Sequence, residues 1–377
     1  MTSSVNPSSG HADRHVPAGL FWKARFFSAT ARAWVRLGQL ESAILRDDIE
    51  RGKVERPVYV AGVARSGTTI ITEMLARHPD VTSHRYSDFP NVYTPFWRNW
   101  LADRVGRRDS AAVERSHRDR LMVTPESPEA VEEVIWMQFF DRLHDPTSNQ
   151  VMGADVVNPP FERFYTEHIA KLLLVRGAHR YLAKGNYNVT RLGYLRKLFP
   201  EARFIVPIRD PLSHVASLVK QDRLFTAMSR EDARVTPHLH RSGHFEFGPG
   251  KCCINVGDNE SAAAIQEHWS AGRLAHGWSM YWNSVYESIA RAIESDPGLS
   301  RAVLVVRYED LCCDAARTIS SIVDHADLRT ECFEAVRDEY LQKLSEPDYY
   351  EHGFSRDEEE AIEDLTASAG RRFGYRA

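Results

Sequence analysis

Cysteine is scarce in this chain, and its placement is not typical of a metal site. Two adjacent pairs, Cys252-Cys253 and Cys312-Cys313, and the single Cys332 make up the total of five, and no CxxC spacing occurs. Structural zinc sites usually space paired cysteines about two to four residues apart, and adjacent cysteines rarely bond each other. We therefore expect reduced thiols in a cytoplasmic protein, and no bound metal.

Long apolar runs and an excess of positive charge are also missing. No run of eighteen apolar residues occurs, so no membrane-spanning helix is predicted. The first fifteen residues, MTSSVNPSSGHADRH, lack the apolar core of a signal peptide. Lys and Arg total 48 against 52 Asp and Glu, a formal net charge of -4, which gives no support to nucleic-acid binding. The 377 residues suffice for one large α/β domain or two smaller domains.

The chain begins with a polar tail and an apolar-patterned segment. The composition of residues 1–18 predicts disorder. Residues 19–52 predict one amphipathic helix, because apolar residues recur near helical spacing at Phe27, Ala31, Trp34, Leu37, Leu40 and Ile44. Such a stripe usually packs on the main domain or on a partner subunit, as in a homodimer. The alternative is contact with a membrane surface, since residues 20–50 combine aromatic side chains with Lys and Arg.

Residues 53–377 alternate between strand-like and helix-like segments. Three apolar segments read as strands: VERPVYVAGV, ARFIVPI and AVLVVRY. Helical patterns lie between and after them, including EAVEEVIWMQFFDRL (129–143) and one long stretch over 262–294. This alternation predicts a three-layer α/β fold with a mainly parallel sheet covered by helices on both faces.

The stretch AGVARSGTT, residues 61–69, predicts a phosphate loop. A strand comes before it and a helix after it, and Gly62 and Gly67 have the GxxxxG separation that turns backbone N–H groups toward an anion. A nucleoside triphosphatase would place a lysine directly after the second glycine. Here Thr68 and Thr69 follow, and the cation comes earlier, as Arg65. The loop therefore suits an oxyanion, with its positive charge supplied from a different side.

A second anion site is predicted in FIVPIRDPLSHVASLVK. Arg209 ends an apolar strand, where ligands bind in open α/β sheets. Ser217 follows about two helical turns later, so both side chains can point at one phosphate. Asp210 and Pro211 suit the first positions of the intervening helix. An arginine in this position can also pair with a structural carboxylate, and the residues alone leave both interpretations open.

These segments together resemble the sulfotransferases, which use 3′-phosphoadenosine-5′-phosphosulfate (PAPS). GVARSGTT, with the following helix that ends in HPDV, resembles their 5′-phosphosulfate loop, and RDPLSHVASL resembles their 3′-phosphate motif. LAKGNYNVTRLGYLRKLFPEARFIVPIRDP is similar to the preceding block in tyrosyl-protein sulfotransferases and their bacterial relatives, and VVRYEDLCCDAARTISSI to their last strand and helix. The resemblance covers roughly residues 55–330 and implies a P-loop-type fold.

The resemblance implies a role for each matching residue. The 5′-phosphosulfate would be held by Arg65, Ser66, Gly67, Thr68 and Thr69. Arg65 would also be a catalytic residue. The 3′-phosphate would be held by Arg209 and Ser217, and Lys184 would contact the transferring sulfuryl group. The family works without a bound metal, which agrees with the absence of a lysine after Gly67.

The catalytic base is where the chain departs from its relatives. They often place a glutamate shortly after the HPDV helix, whereas this chain reads HPDVTSHRYSDFP. A hydroxyl acceptor needs a proton acceptor near the sulfur. Asp88 is the first candidate because it keeps a carboxylate nearby, and His84 is the second because its pKa suits a base. Asp88 can instead cap a turn before Phe89-Pro90.

The sequence leaves more than one acceptor and more than one reaction class open. A small-molecule, lipid or glycan hydroxyl is expected as the acceptor, and an apolar one is favoured if aromatic residues wall the pocket. Those residues are Trp97, Trp100, Trp136, Phe139 and Phe140, and the ordinary interpretation of most of them is core packing. A P-loop nucleotide kinase or nucleoside triphosphatase is the alternative reaction, with Asp210, Glu309 and Asp310 imitating magnesium ligands. A binding protein that has lost its base is the third hypothesis.

Overall fold

The computed structural model describes residues 15–105, 112–114, 122–344 and 352–375. Most of the predicted N-terminal tail, residues 1–14, therefore lies outside the described residues. The described strands are β1 (Val58–Val60), β2 (Val81–Thr82), β3 (Val113–Glu114), β4 (Met122–Val123), β5 (Arg180–Lys184), β6 (Arg203–Ile208) and β7 (Val303–Arg307). The described helices are α1 (Ala18–Ala29), α2 (Ala31–Ile44), α3 (Arg46–Arg51), α4 (Thr68–Leu75), α5 (Pro95–Val105), α6 (Glu133–Trp136), α7 (Pro159–Arg176), α8 (Leu192–Leu198), α9 (Pro211–Glu231), α10 (Val235–Arg241), α11 (Asn259–Ser270), α12 (Leu274–Ser295), α13 (Pro297–Ala302), α14 (Tyr308–Cys313), α15 (Ala315–His325), α16 (Glu334–Lys343) and α17 (Arg356–Arg372).

A five-stranded sheet in the order β2-β5-β1-β6-β7 forms the centre of the fold. All of its pairings are parallel, as the sequence pattern predicts. Val60 at the end of β1 pairs with Lys184 of β5 and with Ile205 of β6. This register brings the loop after β1, the end of β5 and the end of β6 to one edge of the sheet, where parallel sheets bind ligands.

Helices cover both faces of this sheet, which confirms the three-layer prediction. Side chains alternate along β1: Tyr59 belongs to the larger core cluster, and Val58 and Val60 to the smaller one. The larger cluster includes residues of α7, α9 and α12, and the smaller includes residues of α4, α15 and α16. Each fully buried apolar side chain contributes about 1.5–3 kcal/mol. None of the helices in the described parts of the chain combines the length and apolar character needed to span a bilayer.

The segment predicted as a single helix over 19–52 is divided into α1, α2 and α3. In α2 the buried face consists of small or polar residues, because the helix approaches its neighbours closely. A Cβ on Gly38 would lie 2.4 Å from the Tyr93 carbonyl oxygen. Glu41 is fully buried and forms an ion pair of 2.9 Å with Lys171 of α7. The predicted stripe is therefore largely turned outward, with Leu40 51% and Ile44 64% exposed.

Two other predicted helices are shorter or interrupted. Within residues 129–143 only Glu133–Trp136 is α-helical. Nearby carboxylates are held by tertiary contacts instead: Glu132 accepts a hydrogen bond of 2.7 Å from Tyr165. The stretch predicted over 262–294 is broken between α11 and α12 by Gly272, whose φ of +76° ends the first helix. In both places, tertiary contacts or backbone geometry override the helical pattern.

Candidate functional site

The phosphate loop after β1 depends on the absence of side chains at two positions. Gly67 has a φ of +104°, and a Cβ there would lie 2.8 Å from the Tyr308 ring. A Cβ on Gly62 would lie 2.8 Å from the Ser66 hydroxyl oxygen. Arg65 also adopts a positive φ of 75°, which is unusual for a residue other than glycine. The loop thus ends at the N-terminus of α4. The backbone N–H groups and the helix dipole at such a terminus favour the binding of an anion.

His214 of α9 contacts the backbone of this loop, and no pattern in the sequence suggests this contact. Its Nε2 lies 2.8 Å from the Ala64 carbonyl oxygen, and its Nδ1 accepts a hydrogen bond of 3.0 Å from Trp282. Because Nδ1 is an acceptor, Nε2 carries the proton and donates to Ala64. Burial lowers the pKa of His214 to about 3, so the ring is neutral at physiological pH.

The phosphate loop and the second predicted anion motif meet in space. Arg65 donates a hydrogen bond of 3.2 Å from Nε to the Ser217 hydroxyl. The Arg209 guanidinium carbon lies 5.0 Å from the centre of the Tyr308 ring, the ring that Gly67 contacts. Arg209 is buried, with 7% of its surface exposed. The fold therefore brings three predicted anion-binding side chains, Arg65, Arg209 and Ser217, to one edge of the sheet.

The carboxylates suggested as imitations of magnesium ligands have structural contacts. Asp210 accepts a hydrogen bond of 2.9 Å from the Ser213 N–H and caps α9, as the sequence suggested. Glu309 accepts from the Asp210 N–H at 2.8 Å and from the Tyr375 hydroxyl at 2.7 Å. These bonds join the end of β6 to α14 and to the C-terminal part of the described chain.

Lys184, the last residue of β5, lies between the phosphate loop and a carboxylate. Its Nζ is 3.4 Å from Thr69 Oγ1 and 3.4 Å from Glu129 Oε1. The side chain is mostly enclosed, at 10% exposure. An ammonium in this position can stabilise negative charge that develops beside the loop.

Glu129 contacts Lys184 but is not singled out by any pattern in the sequence. The helical pattern over residues 129–143 includes Glu129. In the structure, its segment instead pairs with the segment that follows the HPDV helix. The Glu129 N–H donates 2.9 Å to the His84 carbonyl, and the Tyr86 N–H donates 3.1 Å to the Ser127 carbonyl. A carboxylate is thus held beside the segment that follows the HPDV helix, although it belongs to a different part of the chain. Only this pairing between distant segments reveals it, since the spacing of PESPE gives no such signal.

The charge of Glu129 is stabilised by its neighbours. Burial on its own would raise the pKa of Glu129, but Lys184 and His244 outweigh it and hold the pKa well below the usual carboxyl range. His244 Nδ1 lies 3.6 Å from Glu246 Oε2. Burial would lower the pKa of His244, yet Glu246 and Glu129 raise it above the ordinary value. Glu129, His244 and Glu246 therefore form a cluster beside Lys184 in which the two carboxylates favour the protonated form of His244.

A cavity of about 320 Å³ opens beside this cluster. Most of its wall is apolar, with side chains from α1, α9, α10 and the loops around them: Leu20, Phe89, Val131, Phe225, Leu239 and Phe247. Glu129, His244 and Glu246 line it as well. Enclosed apolar cavities with a few convergent polar groups are the usual form of small-molecule sites.

The geometry opposes Asp88 as the base, because this carboxylate is enclosed by cations. It accepts hydrogen bonds from Arg176 at 2.8 and 2.9 Å and from Arg98 at 2.7 Å, and it is 3% exposed. It also accepts 2.8 Å from the Arg85 N–H, which is the turn-capping role that the sequence left open. Burial alone would raise the pKa of Asp88, but His84 and Arg176 bring it well below its usual range.

His84 is likewise part of the buried interior. It is 2% exposed, its Nε2 lies 3.1 Å from His168 Nε2, and its Nδ1 lies 3.4 Å from Asp88. Neither His84 nor Asp88 lines the 320 Å³ cavity. Both side chains therefore lie in the interior, away from this cavity, on the segment whose backbone holds Glu129.

The predicted aromatic wall is mainly core. Trp136 is fully buried, and its ring centre lies 4.3 Å from the ring centre of Phe161. Trp100, on α5, is 43% exposed. None of the five predicted aromatic residues lines the 320 Å³ cavity, whose rings are instead Phe89, Phe225, Phe247 and Tyr86. The cavity contains aromatic side chains, but they are not the ones that the sequence pattern suggested.

Known proteins share features with this chain at the level of family and of fold. Residues 57–246 match the Sulfotransferase family. Sulfotransferase STF9 from Mycobacterium avium superposes over 89% of this chain and 81% of its own, with 17% identity and a TM-score of 0.53. Sulfotransferase STF1 from Mycobacterium tuberculosis superposes over 91% and 85%, with 16% identity and a TM-score of 0.49. No curated protein matches the chain significantly.

Proposed function

This chain belongs to the sulfotransferase family, and from that premise we propose that it moves a sulfuryl group from PAPS to a hydroxyl group of an acceptor. The observation that carries the proposal is the position of Lys184. Its Nζ lies 3.4 Å from Thr69 of the phosphate loop and 3.4 Å from Glu129 on the cavity wall. A donor site and an acceptor site thus adjoin at one cation.

The residues around the loop fit a nucleotide with two separate anionic groups. The glycine cradle and the N-terminus of α4 suit the 5′-phosphosulfate, and the cluster of Arg65, Arg209 and Ser217 suits a further phosphate. The residues proposed to hold PAPS are Arg65, Ser66, Gly67, Thr68, Thr69, Arg209 and Ser217. When bound, PAPS supplies the sulfuryl group, which passes to the acceptor oxygen by in-line displacement and leaves adenosine 3′,5′-bisphosphate.

Lys184 and Glu129 have complementary roles in this proposal. Lys184 stabilises the negative charge that develops next to the phosphate loop during transfer. Glu129 accepts the proton that the acceptor hydroxyl loses as its oxygen bonds to sulfur. Glu129 replaces Asp88 and His84 in this role, because it lines the cavity and contacts Lys184. Asp88 and His84 act as positioning residues for its segment.

The shape of the cavity favours a compact, partly apolar acceptor. Its volume of about 320 Å³ and its wall of leucine, valine and phenylalanine side chains suit a small molecule or one end of a lipid. A long polyanionic glycan would need an extended basic groove instead. The hydroxyl would point toward Glu129, at the polar side of the cavity, which in turn contacts Lys184.

The proposal is tested by incubating the full chain with PAPS labelled with ³⁵S and a panel of apolar hydroxyl compounds. We expect label to appear in at least one product, and we expect the Lys184→Ala variant to lose most of that transfer. Magnesium-dependent hydrolysis of ATP without any transfer of label would favour the nucleoside triphosphatase instead. Tight binding of PAPS without transfer to any hydroxyl would favour a binding protein.

A further inference from the structure

The first two helices expose large apolar side chains that soluble proteins usually bury. Trp22 is 58% exposed, Phe26 56% and Leu40 51%, whereas the buried residue of α1 is the small Ala24. We call the exposed side of α1 and α2 the N-terminal face, defined by Trp22, Phe26, Leu37 and Leu40 together with the neighbouring cations. Several large apolar groups that remain exposed in one region indicate an interaction surface.

The order of residues around α1 is regular. At about 100° per residue, Trp22 and Phe26 each lie about 160° from Ala24, on the outermost line of the helix. Lys23 and Arg25 lie about 100° from Ala24 on opposite sides, so a cation flanks the aromatic line on each side. The Arg25 guanidinium carbon is 5.0 Å from the Trp22 ring centre. Helices that lie in the interface of a membrane have this arrangement.

The charge of this region differs from that of the whole chain. Residues 18–40 contain Lys23, Arg25, Arg32 and Arg36 and no Asp or Glu, although the chain as a whole has a formal charge of -4. All four cations are exposed. The next acidic residue, Glu41, is fully buried. Four exposed cations on the two helices that also expose large apolar side chains are complementary to anionic lipid headgroups.

The inner side of α1 is held on the domain, which leaves its outer side available. The Val16 N–H donates a hydrogen bond of 3.0 Å to Asp232, and the Arg241 guanidinium lies 5.0 Å from the Phe21 ring centre. Leu20 of the same helix lines the 320 Å³ cavity. The part of the N-terminal face that α1 contributes and the cavity wall are thus two sides of one short helix.

We propose that the N-terminal face docks on the surface of an anionic lipid bilayer. Trp22 and Phe26 enter the boundary between headgroups and acyl chains, and the four cations contact lipid phosphates. A second copy of this chain fits the face less well, because a two-fold interface would set the same four cations against each other. The proposal concerns binding and does not depend on the transfer reaction.

The test is sedimentation of the full chain with vesicles. We expect binding to mixed phosphatidylglycerol and phosphatidylcholine vesicles at least about tenfold stronger than to pure phosphatidylcholine, and weaker binding as salt rises. The double variant Trp22→Ser, Phe26→Ser should lose at least about tenfold in affinity for the anionic vesicles. Val157→Ser is the matched control, because Val157 is 69% exposed but lies outside the N-terminal face. The affinity of this variant for the anionic vesicles should equal that of the native chain.

A second variant separates the charge from the aromatic rings. Lys23→Glu, Arg25→Glu should abolish the preference for phosphatidylglycerol, and both residues are exposed, so the fold should tolerate the change. Equal binding of the native chain to both kinds of vesicle would overturn the proposal, as would unchanged binding of the aromatic double variant. Absence of vesicle binding, combined with a dimer that Trp22→Ser, Phe26→Ser converts to monomers in analytical ultracentrifugation, would assign the face to a second copy.

Discussion

Lys184 Nζ lies 3.4 Å from Glu129 Oε1, although 55 residues separate the two along the chain. Lys184 ends β5, and Glu129 is placed by a backbone hydrogen bond to His84. The pair joins the phosphate loop to the 320 Å³ cavity, because Lys184 also contacts Thr69 and Glu129 lines the cavity.

Replacement of Glu129 with glutamine should remove catalysis and preserve nucleotide binding. The amide keeps the shape of the side chain but cannot accept the hydroxyl proton, so kcat should fall by about 10²- to 10⁴-fold. The affinity for adenosine 3′,5′-bisphosphate, measured by calorimetry, should change little. Glu126→Gln is the control, since Glu126 lies on the same segment with a 42% exposed side chain. Near-native kcat in the Glu129→Gln variant would rule out Glu129 as the base.

The pH dependence of kcat/KM should distinguish a carboxylate base from a histidine base. A base is active when deprotonated, and the pKa of Glu129 lies well below the usual carboxyl range. Activity should therefore persist from pH 7 down to about pH 4.5, where a histidine with a pKa of about 6.5 would already have lost most of its activity. A decline of tenfold per pH unit below about pH 6.5 would indicate an imidazole base instead.

Asp88 should prove important for stability rather than for the chemical step. Asp88→Asn leaves Arg176 and Arg98 without their shared carboxylate, and breaking a buried ion pair costs about 3–5 kcal/mol. The pKa of Asp88 is lowered in the folded state, so its contribution is present above its unfolded pKa and is lost as pH falls through the folded value. Urea unfolding at pH 7 and pH 3 measures both effects.

The exposed Asp47→Asn on α3 provides the control for this experiment and should leave the free energy of unfolding unchanged. Its carboxylate belongs to a surface helix, where charges contribute little. If Asp88→Asn were as stable as the native chain but inactive with intact nucleotide binding, the sequence-based choice of Asp88 as the base would regain support.

The parallel sheet and the strand–loop–helix around Gly62 and Gly67 were predictable because their signals are local. Apolar strands followed by helices, and two glycines at a fixed separation, are read within a few residues of one another. Glu129 was not predictable, because its position depends on pairing between the segments around His84 and Ser127. The burial of α2 was mispredicted for a related reason: Gly38 and Glu41 contact specific groups of α7 and the Tyr93 loop, which hydrophobic spacing cannot show.

Arg209→Ala should weaken the binding of adenosine 3′,5′-bisphosphate. A charge-assisted contact to a phosphate contributes about 1.5–3 kcal/mol, which corresponds to a loss of about 10- to 150-fold in affinity. Arg223→Ala is the control, because Arg223 lies on the same helix as Ser217 but is exposed. Equal affinities of the Arg209→Ala variant and the native chain, measured by calorimetry, would contradict the proposed nucleotide site.

His214→Phe should test whether the phosphate loop needs support from α9. Phenylalanine keeps the ring but removes the hydrogen bonds to the Ala64 carbonyl and from Trp282, leaving both groups buried and unsatisfied. Each such group costs about 1–3 kcal/mol, so the variant should unfold at lower urea and bind adenosine 3′,5′-bisphosphate more weakly. His214→Gln, which can donate and accept, should recover part of the loss.

Because the pKa of His214 is about 3, the native affinity should not change between pH 5 and pH 8 through this residue. If His214→Phe bound the nucleotide like the native chain, the position of the loop would be set by its glycines and by Tyr308 alone.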